Sequence, residues 1–159
     1  MPKIGIVYYS KTGNTELMAK AVYEGVKSEN VEVELKKVEE VKPEDLLNWD
    51  GIIVGSPTYY GLPAAPIKEL FDQSVKYHGD LEGKVGGAFA SSANIGGGNE
   101  TTVLSIIQMM LIHGMIVKGS SNGDHYGPVS IGKPTEKVKS QCKALGARVA
   151  KLVKRLSQC

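Results

Sequence analysis

The stretch IGIVYYSKTGNTELMAKAVYEGV, residues 4–26, decides the fold. Its first residues, Ile4 to Tyr9, form an unbroken apolar and aromatic run, the pattern of a strand covered on both faces by helices. Ser10 to Thr15 break the run with hydroxyls, a glycine and an amide. From Glu16 to Lys27 the residues Leu17, Met18, Ala21, Val22 and Val26 recur at helical spacing, and Asn30 ends the pattern. A buried strand, a polar loop and an amphipathic helix, in that order, make one step of a wound α/β structure.

The same rhythm continues outward. Val31, Val33 and Leu35 alternate with Glu32, Glu34 and Lys36, so the second strand wets one side and reads as a sheet edge. Gly51 to Gly55 is a third, buried strand, followed by the turn-rich Ser56 to Pro66 and a helix carrying Ile67, Leu70, Phe71 and Val75. A fourth strand runs from Val85 to Ala90, then a glycine-rich segment, then a helix with Val103, Ile106, Ile107, Met110 and Leu111. Met115 to Lys118 makes the fifth strand. After a loop from Gly119 to Pro134, the residues Val138, Cys142, Leu145, Val149, Leu152 and Leu156 mark a final helix. Strands separated by helices predict a parallel sheet with right-handed crossovers and helices on both faces. With the alternating strand at the edge, the order is 2-1-3-4-5, giving a five-stranded, three-layer αβα sandwich. Ligands bind such sheets beyond the carboxyl ends of the strands, so the loops after the first, third and fourth strands should build the site.

The composition is that of one globular unit. At 159 residues, with 42% apolar and 23% charged residues, the chain suits a single domain over 1–159. No apolar run approaches the roughly 18 residues of a membrane span, and Met1-Pro2-Lys3 leads straight into the first strand without a signal-peptide pattern, so a soluble, cytoplasmic protein is expected. A net charge of +2 and a pI near 8.4, without a basic stripe or a base-stacking platform, argue against nucleic acid. Cys142 and Cys159 cannot make a disulfide framework, and His78, His113 and His125 are scattered with no metal-ligand spacing, so no metal is expected.

The three loops hold the unusual residues. In Ser10, Lys11, Thr12, Gly13, Asn14 and Thr15, main-chain N–H groups and hydroxyls at a helix N-terminus can surround a phosphate. The spacing fits neither a triphosphate loop nor a dinucleotide fingerprint, so a monophosphate fits better; an ordinary Ser/Thr helix cap is the competing reading. In Pro57, Thr58, Tyr59, Tyr60 and Gly61, aromatics between prolines can stack on a planar heterocycle, or simply cover the next helix. In Ser91, Ser92, Ala93, Asn94, Ile95, Gly96 and Gly97, small residues and glycines admit close backbone contact with a ring system.

Taken jointly, YYSKTGNTELMAKAVYEGV (8–26), GSPTYYG (55–61), FDQ (71–73), GGGNETT (96–102), HGM (113–115) and HYG (125–127) resemble the flavodoxin-like superfamily, above all the tryptophan-repressor-binding-protein type of NAD(P)H:quinone oxidoreductase. The resemblance implies FMN as cofactor. The phosphate falls to Ser10–Thr15, and the isoalloxazine and ribityl contacts fall to Pro57–Gly61 and Ser91–Gly97. It also implies two-electron reduction of a quinone by NAD(P)H and the tetramers that many members form, so a homodimer or homotetramer is expected. No protein side chain is then needed as a catalytic group, because the cofactor carries the chemistry. The rival reading is a flavodoxin passing electrons between protein partners; such carriers tend to be strongly acidic, which +2 is not.

Overall fold

The computed structural model describes residues Met1–Cys159. The elements run β1 (Lys3–Tyr8), α1 (Asn14–Lys27), β2 (Glu32–Lys37), β3 (Gly51–Tyr59), β4 (Leu62–Pro63), α2 (Ala65–Gln73), β5 (Val85–Ser92), α3 (Asn99–Ile112), β6 (Ile116–Val117), β7 (Val129–Ile131) and α4 (Glu136–Ser157). Short 3-10 turns at Val38–Glu40 and Pro43–Asn48 link β2 to β3, and another at Ser74–Tyr77 follows α2.

Pleating sends alternate side chains of each central strand to opposite faces. Ile4, Ile6, Ile53 and Phe89 pack on one face against Met18 and Val22 of α1 and Leu145 and Val149 of α4. Val7, Ile52, Val54 and Ala88 pack on the other against Ile67 and Leu70 of α2 and Val103, Ile106 and Met110 of α3. Both faces of the inner strands are therefore dry, which is why they read as continuous apolar runs. α1 and α4 cross where Gly25 and Gly146 face the partner backbone: a Cβ on Gly146 would lie 2.2 Å from the Val22 carbonyl oxygen.

The α/β architecture and the edge position of β2 agree with the sequence reading, but the strand count does not. The sheet has seven strands, not five, and the order along it is β2-β1-β3-β5-β6. Two strands were hidden. β4 is two residues long and pairs antiparallel with the end of β3, so the sheet is not purely parallel. β7 lies within Gly119–Pro134, the segment read as loop. It pairs parallel with Ala90–Ser92, whereas β6 pairs with Val85–Gly86 at the start of the same strand. The fifth position of the sheet is thus filled by two short pieces, and residues 118–128 leave the edge between them. Strands of two or three residues carry too little periodicity to be read against Gly, Ser and Pro. No helix is long and apolar enough to cross a membrane.

Candidate functional site

Because β1, β3 and β5 are parallel neighbours, the loops that leave them emerge at one end of the sheet. The first is organised by Ser10, whose Oγ accepts from the N–H groups of Gly13 (3.1 Å) and Glu16 (3.3 Å). Its hydroxyl proton remains available to a ligand. Gly13 holds a left-handed φ of 103° as the residue before α1, and its carbonyl accepts from Leu17 at 3.1 Å. The N–H groups of Lys11, Thr12, Asn14 and Thr15 donate to no protein acceptor. They form an unpaired donor set at the positive end of a 14-residue helix, which favours an anion. Lys11 and Thr12 are exposed, whereas Thr15 is buried and its hydroxyl is hydrogen-bonded to that of Ser91 at 2.9 Å. Tyr8 donates from Oη to Glu16 Oε1 at 3.1 Å; burial, then Glu16, pushes the phenol up to about 12, so it stays protonated.

The second loop is a tight hairpin. Thr58 faces Pro63 and Tyr59 faces Leu62, leaving Tyr60 and Gly61 as the turn, with φ of 51° and 76°. Two consecutive left-handed residues are the signature of a type I′ turn, which favours Asn-Gly. A tyrosine at the first position is strained. Its ring gains no packing in return, since Tyr60 is 105% exposed. Backbone strain that buys no internal contact is a feature of ligand sites. The hairpin is anchored at both ends: Ser56 Oγ accepts from Ala64 N–H at 2.8 Å, and Thr101 Oγ1 donates to the Gly61 carbonyl at 2.9 Å. Tyr59 is edge-on to Tyr9, with ring centroids 6.4 Å apart.

The third loop turns on Ser92, whose Oγ donates to the Asn94 carbonyl at 3.3 Å and accepts from Asn99 Nδ2 at 3.0 Å. Ser91 and Ser92 are buried, while Ala93, Asn94, Ile95 and Gly96 are exposed and Gly97 is half-buried. Gly98 packs on the hairpin so closely that a Cβ there would lie 2.7 Å from Gly61 Cα. Thr102 Oγ1 donates to Thr58 Oγ1 at 3.0 Å.

Three ties therefore hold the loops together: Thr15 to Ser91, Thr102 to Thr58, and Thr101 to Gly61. The structure brings all three sequence-predicted segments to one rim, but it divides their labour. Lys11, Thr12, Tyr59, Tyr60, Ala93, Asn94, Ile95 and Gly96 face solvent; Thr15, Ser91 and Ser92 are buried fasteners. The reading of residues missed Ser56, Asn99, Thr101 and Thr102 as supports of the site, and Tyr9 as the partner of Tyr59. Asn99, Thr101 and Thr102 belong to the GGGNETT motif, Ser56 to GSPTYYG and Tyr9 to the first motif, so a signal existed for all five. His113, which closes α3, is a packing residue: it donates from Nε2 to Ser74 Oγ at 2.8 Å, because Ser74 itself donates to the Phe71 carbonyl.

The family model named Flavodoxin matches residues 6–153. A flavodoxin from Aquifex aeolicus is 42% identical over 96% of this chain and 88% of its own length. An NAD(P)H dehydrogenase (quinone) from Archaeoglobus fulgidus is 33% identical over 98% of this chain and 100% of its own. Among solved structures, a flavodoxin from the domain Archaea superposes with a TM-score of 0.80 at 34% identity, covering 96% of this chain and 99% of that one. A flavodoxin, WrbA-like protein from Agrobacterium tumefaciens superposes with a TM-score of 0.82 at 27% identity, covering 98% and 99%. The likeness spans the sheet, the helices and the three loops, and the chain belongs to the flavodoxin family, close to its WrbA-like and NAD(P)H dehydrogenase (quinone) members.

Proposed function

We propose that the chain is a single FMN-binding domain that reduces quinones by two electrons taken from NAD(P)H. The observation that carries the reading is the convergence of an unpaired N–H cluster at the start of α1 with a strained, fully exposed aromatic turn at Tyr60. The first suits a dianionic phosphate and the second a flat ring, and the ties between the loops hold them in a fixed relation. The phosphate belongs against the N–H groups of Lys11, Thr12, Asn14 and Thr15 and the hydroxyls of Ser10 and Thr12. The ring belongs between Pro57–Gly61 and Ser91–Gly97. When bound, FMN supplies hydride acceptance and donation; the protein positions it and limits the access of water. Tyr59 and Tyr8 keep their protons, Tyr59 because burial and then Tyr9 raise its phenol, so no tyrosinate opposes reduction of the ring.

The names of several relatives, NAD(P)H dehydrogenase (quinone), favour the enzyme. The 42% identity to a flavodoxin favours the second reading, an electron carrier between proteins. Two of the exposed apolar residues of α3, Leu111 and Ile112, together with Leu104, support assembly into a homodimer or homotetramer, which sedimentation of the purified protein would measure. To test the function, FMN-loaded protein is mixed with NADH or NADPH, with and without benzoquinone. Rapid bleaching of the oxidised flavin absorbance by pyridine nucleotide, and its recovery with quinone, supports the enzyme. If the flavin stays oxidised with pyridine nucleotide alone and is reduced only through a partner reductase, the carrier reading holds. Absence of FMN uptake at micromolar levels sinks both.

A further inference from the structure

The charge of this chain is unevenly placed. α4 carries seven Lys and Arg against one Glu, whereas the whole chain has 19 basic and 17 acidic residues, so outside α4 acids outnumber bases 16 to 12. Part of that charge is compensated: Lys139 pairs with Glu136, and Lys151 and Lys154 share Glu29. A groove of about 590 Å³ lies between α4 and the segment that follows β6. Lys118 lines one wall; Arg148, Lys151 and Arg155 line the other, with Ala147 and Leu152 as apolar floor.

Lys118, Arg148 and Arg155 form no ion pair with any carboxylate of the protein. Arg148 is half-buried, and its enclosed Nε has no acceptor. Asp124 acts on it through space without reaching it, and its own Oδ2 is equally unpartnered. Burial accordingly draws the Arg148 guanidinium below its usual range. Converging like charges around a partly desolvated guanidinium oppose folding unless an anion answers them. The planar fork of arginine meets phosphate oxygens in pairs, and lysines add point charges around it. The volume falls within the roughly 300–1,000 Å³ of small-ligand sites.

We propose that this groove is a second ligand site, for a small molecule carrying at least two phosphate groups. Arg148 holds one phosphate through its terminal amino groups, Lys118 and Arg155 neutralise the other, and Ala147 and Leu152 receive an apolar portion. A concave surface with a half-buried fork favours a small anion over the broad face of an acidic protein. The site is distinct from the three loops: β6 pairs with Val85–Gly86 at the start of β5, while the loops leave the strand ends opposite.

The test is calorimetric titration of inorganic pyrophosphate into the full-length protein, with and without saturating FMN, at ionic strength held constant with sodium chloride. Saturable binding that FMN does not displace is expected. Lys118→Glu and Arg155→Glu, both at exposed positions, should each weaken it about tenfold or more, as loss of a charge-assisted contact does. Arg148→Gln should abolish it; if that variant does not fold, the two surface variants decide. No binding, binding that FMN displaces, or binding untouched by the two reversals overturns the proposal. A protein that takes up no FMN still answers through the variants, so failure of the flavin reading shows separately.

Discussion

Tyr60 offers a perturbation whose two effects have opposite signs. It sits at φ 51° beside Gly61 at φ 76°, in a turn that favours Asn-Gly. A left-handed backbone costs a non-glycine residue roughly 1–2 kcal/mol, and asparagine about half of that. The Tyr60 side chain is fully exposed, so replacing it removes no packing. Tyr60→Asn should therefore stabilise the apoprotein by about 0.5–1 kcal/mol, a rise in Tm of roughly 1–4 °C for a chain of this size. On the proposed function the same change also removes a ring that stacks on the flavin. Stacking of about 1–2 kcal/mol is lost, and Kd for FMN rises roughly 5- to 30-fold. Tyr60→Phe keeps ring and backbone and should leave both quantities nearly unchanged. Thermal unfolding of the apoprotein, with FMN titrated by flavin fluorescence quenching, measures the pair of effects. A less stable Tyr60→Asn protein, or one that binds FMN as tightly as before, would refute the assignment of the strain to ligand binding.

Thr12 and Thr15 should part company. Thr12→Ala, at an exposed site, is expected to weaken FMN binding about tenfold with unchanged urea unfolding, as loss of one charge-assisted hydrogen bond does. Thr15→Ala breaks the buried tie to Ser91 and should cost the apoprotein about 1–3 kcal/mol in the same unfolding experiment. Gly146→Ala places a Cβ 2.2 Å from the Val22 carbonyl oxygen, and forcing α1 and α4 apart should cost about 3 kcal/mol or more, read as a lower urea midpoint. His113 gives a pH dependence. Burial, then His78, lowers its pKa below the ordinary 6.5, so the native state holds the neutral ring. Its contribution is complete above pH 6.5 and is lost as pH falls through that value towards the folded pKa, because the unfolded chain takes up the proton first. Between about pH 7 and 5 the unfolding free energy of the native protein should decline more steeply than that of His113→Gln, and equal slopes would exclude the histidine as the cause.

Much of this molecule was legible in one dimension. The run Ile4–Tyr9, the apolar spacing of α1 and the alternation around Val33 each report a local requirement: two dry faces, one helical stripe, one wet edge. The three loops were legible because Gly, Ser, Thr, Asn and Pro interrupt those patterns where a strand passes into a helix. What escaped were properties that belong to no segment. Val129–Ile131 is a strand only because Ala90–Ser92 lies beside it, and Leu62–Pro63 only because a left-handed turn folds it back on β3. The Thr15 hydroxyl is a fastener, since its partner Ser91 stands 76 residues away, and only its N–H is left for a ligand. The basic groove joins Lys118 to Arg148 and Arg155, and each alone looks like an ordinary surface charge. The sequence by itself determined the order and kind of the long elements and the chemistry of the loops, because periodicity and side-chain type are local. Which side chains meet, which are spent on holding the loops and which remain free for a ligand was decided only by tertiary structure, because burial and hydrogen-bond pairing depend on neighbours distant in the chain.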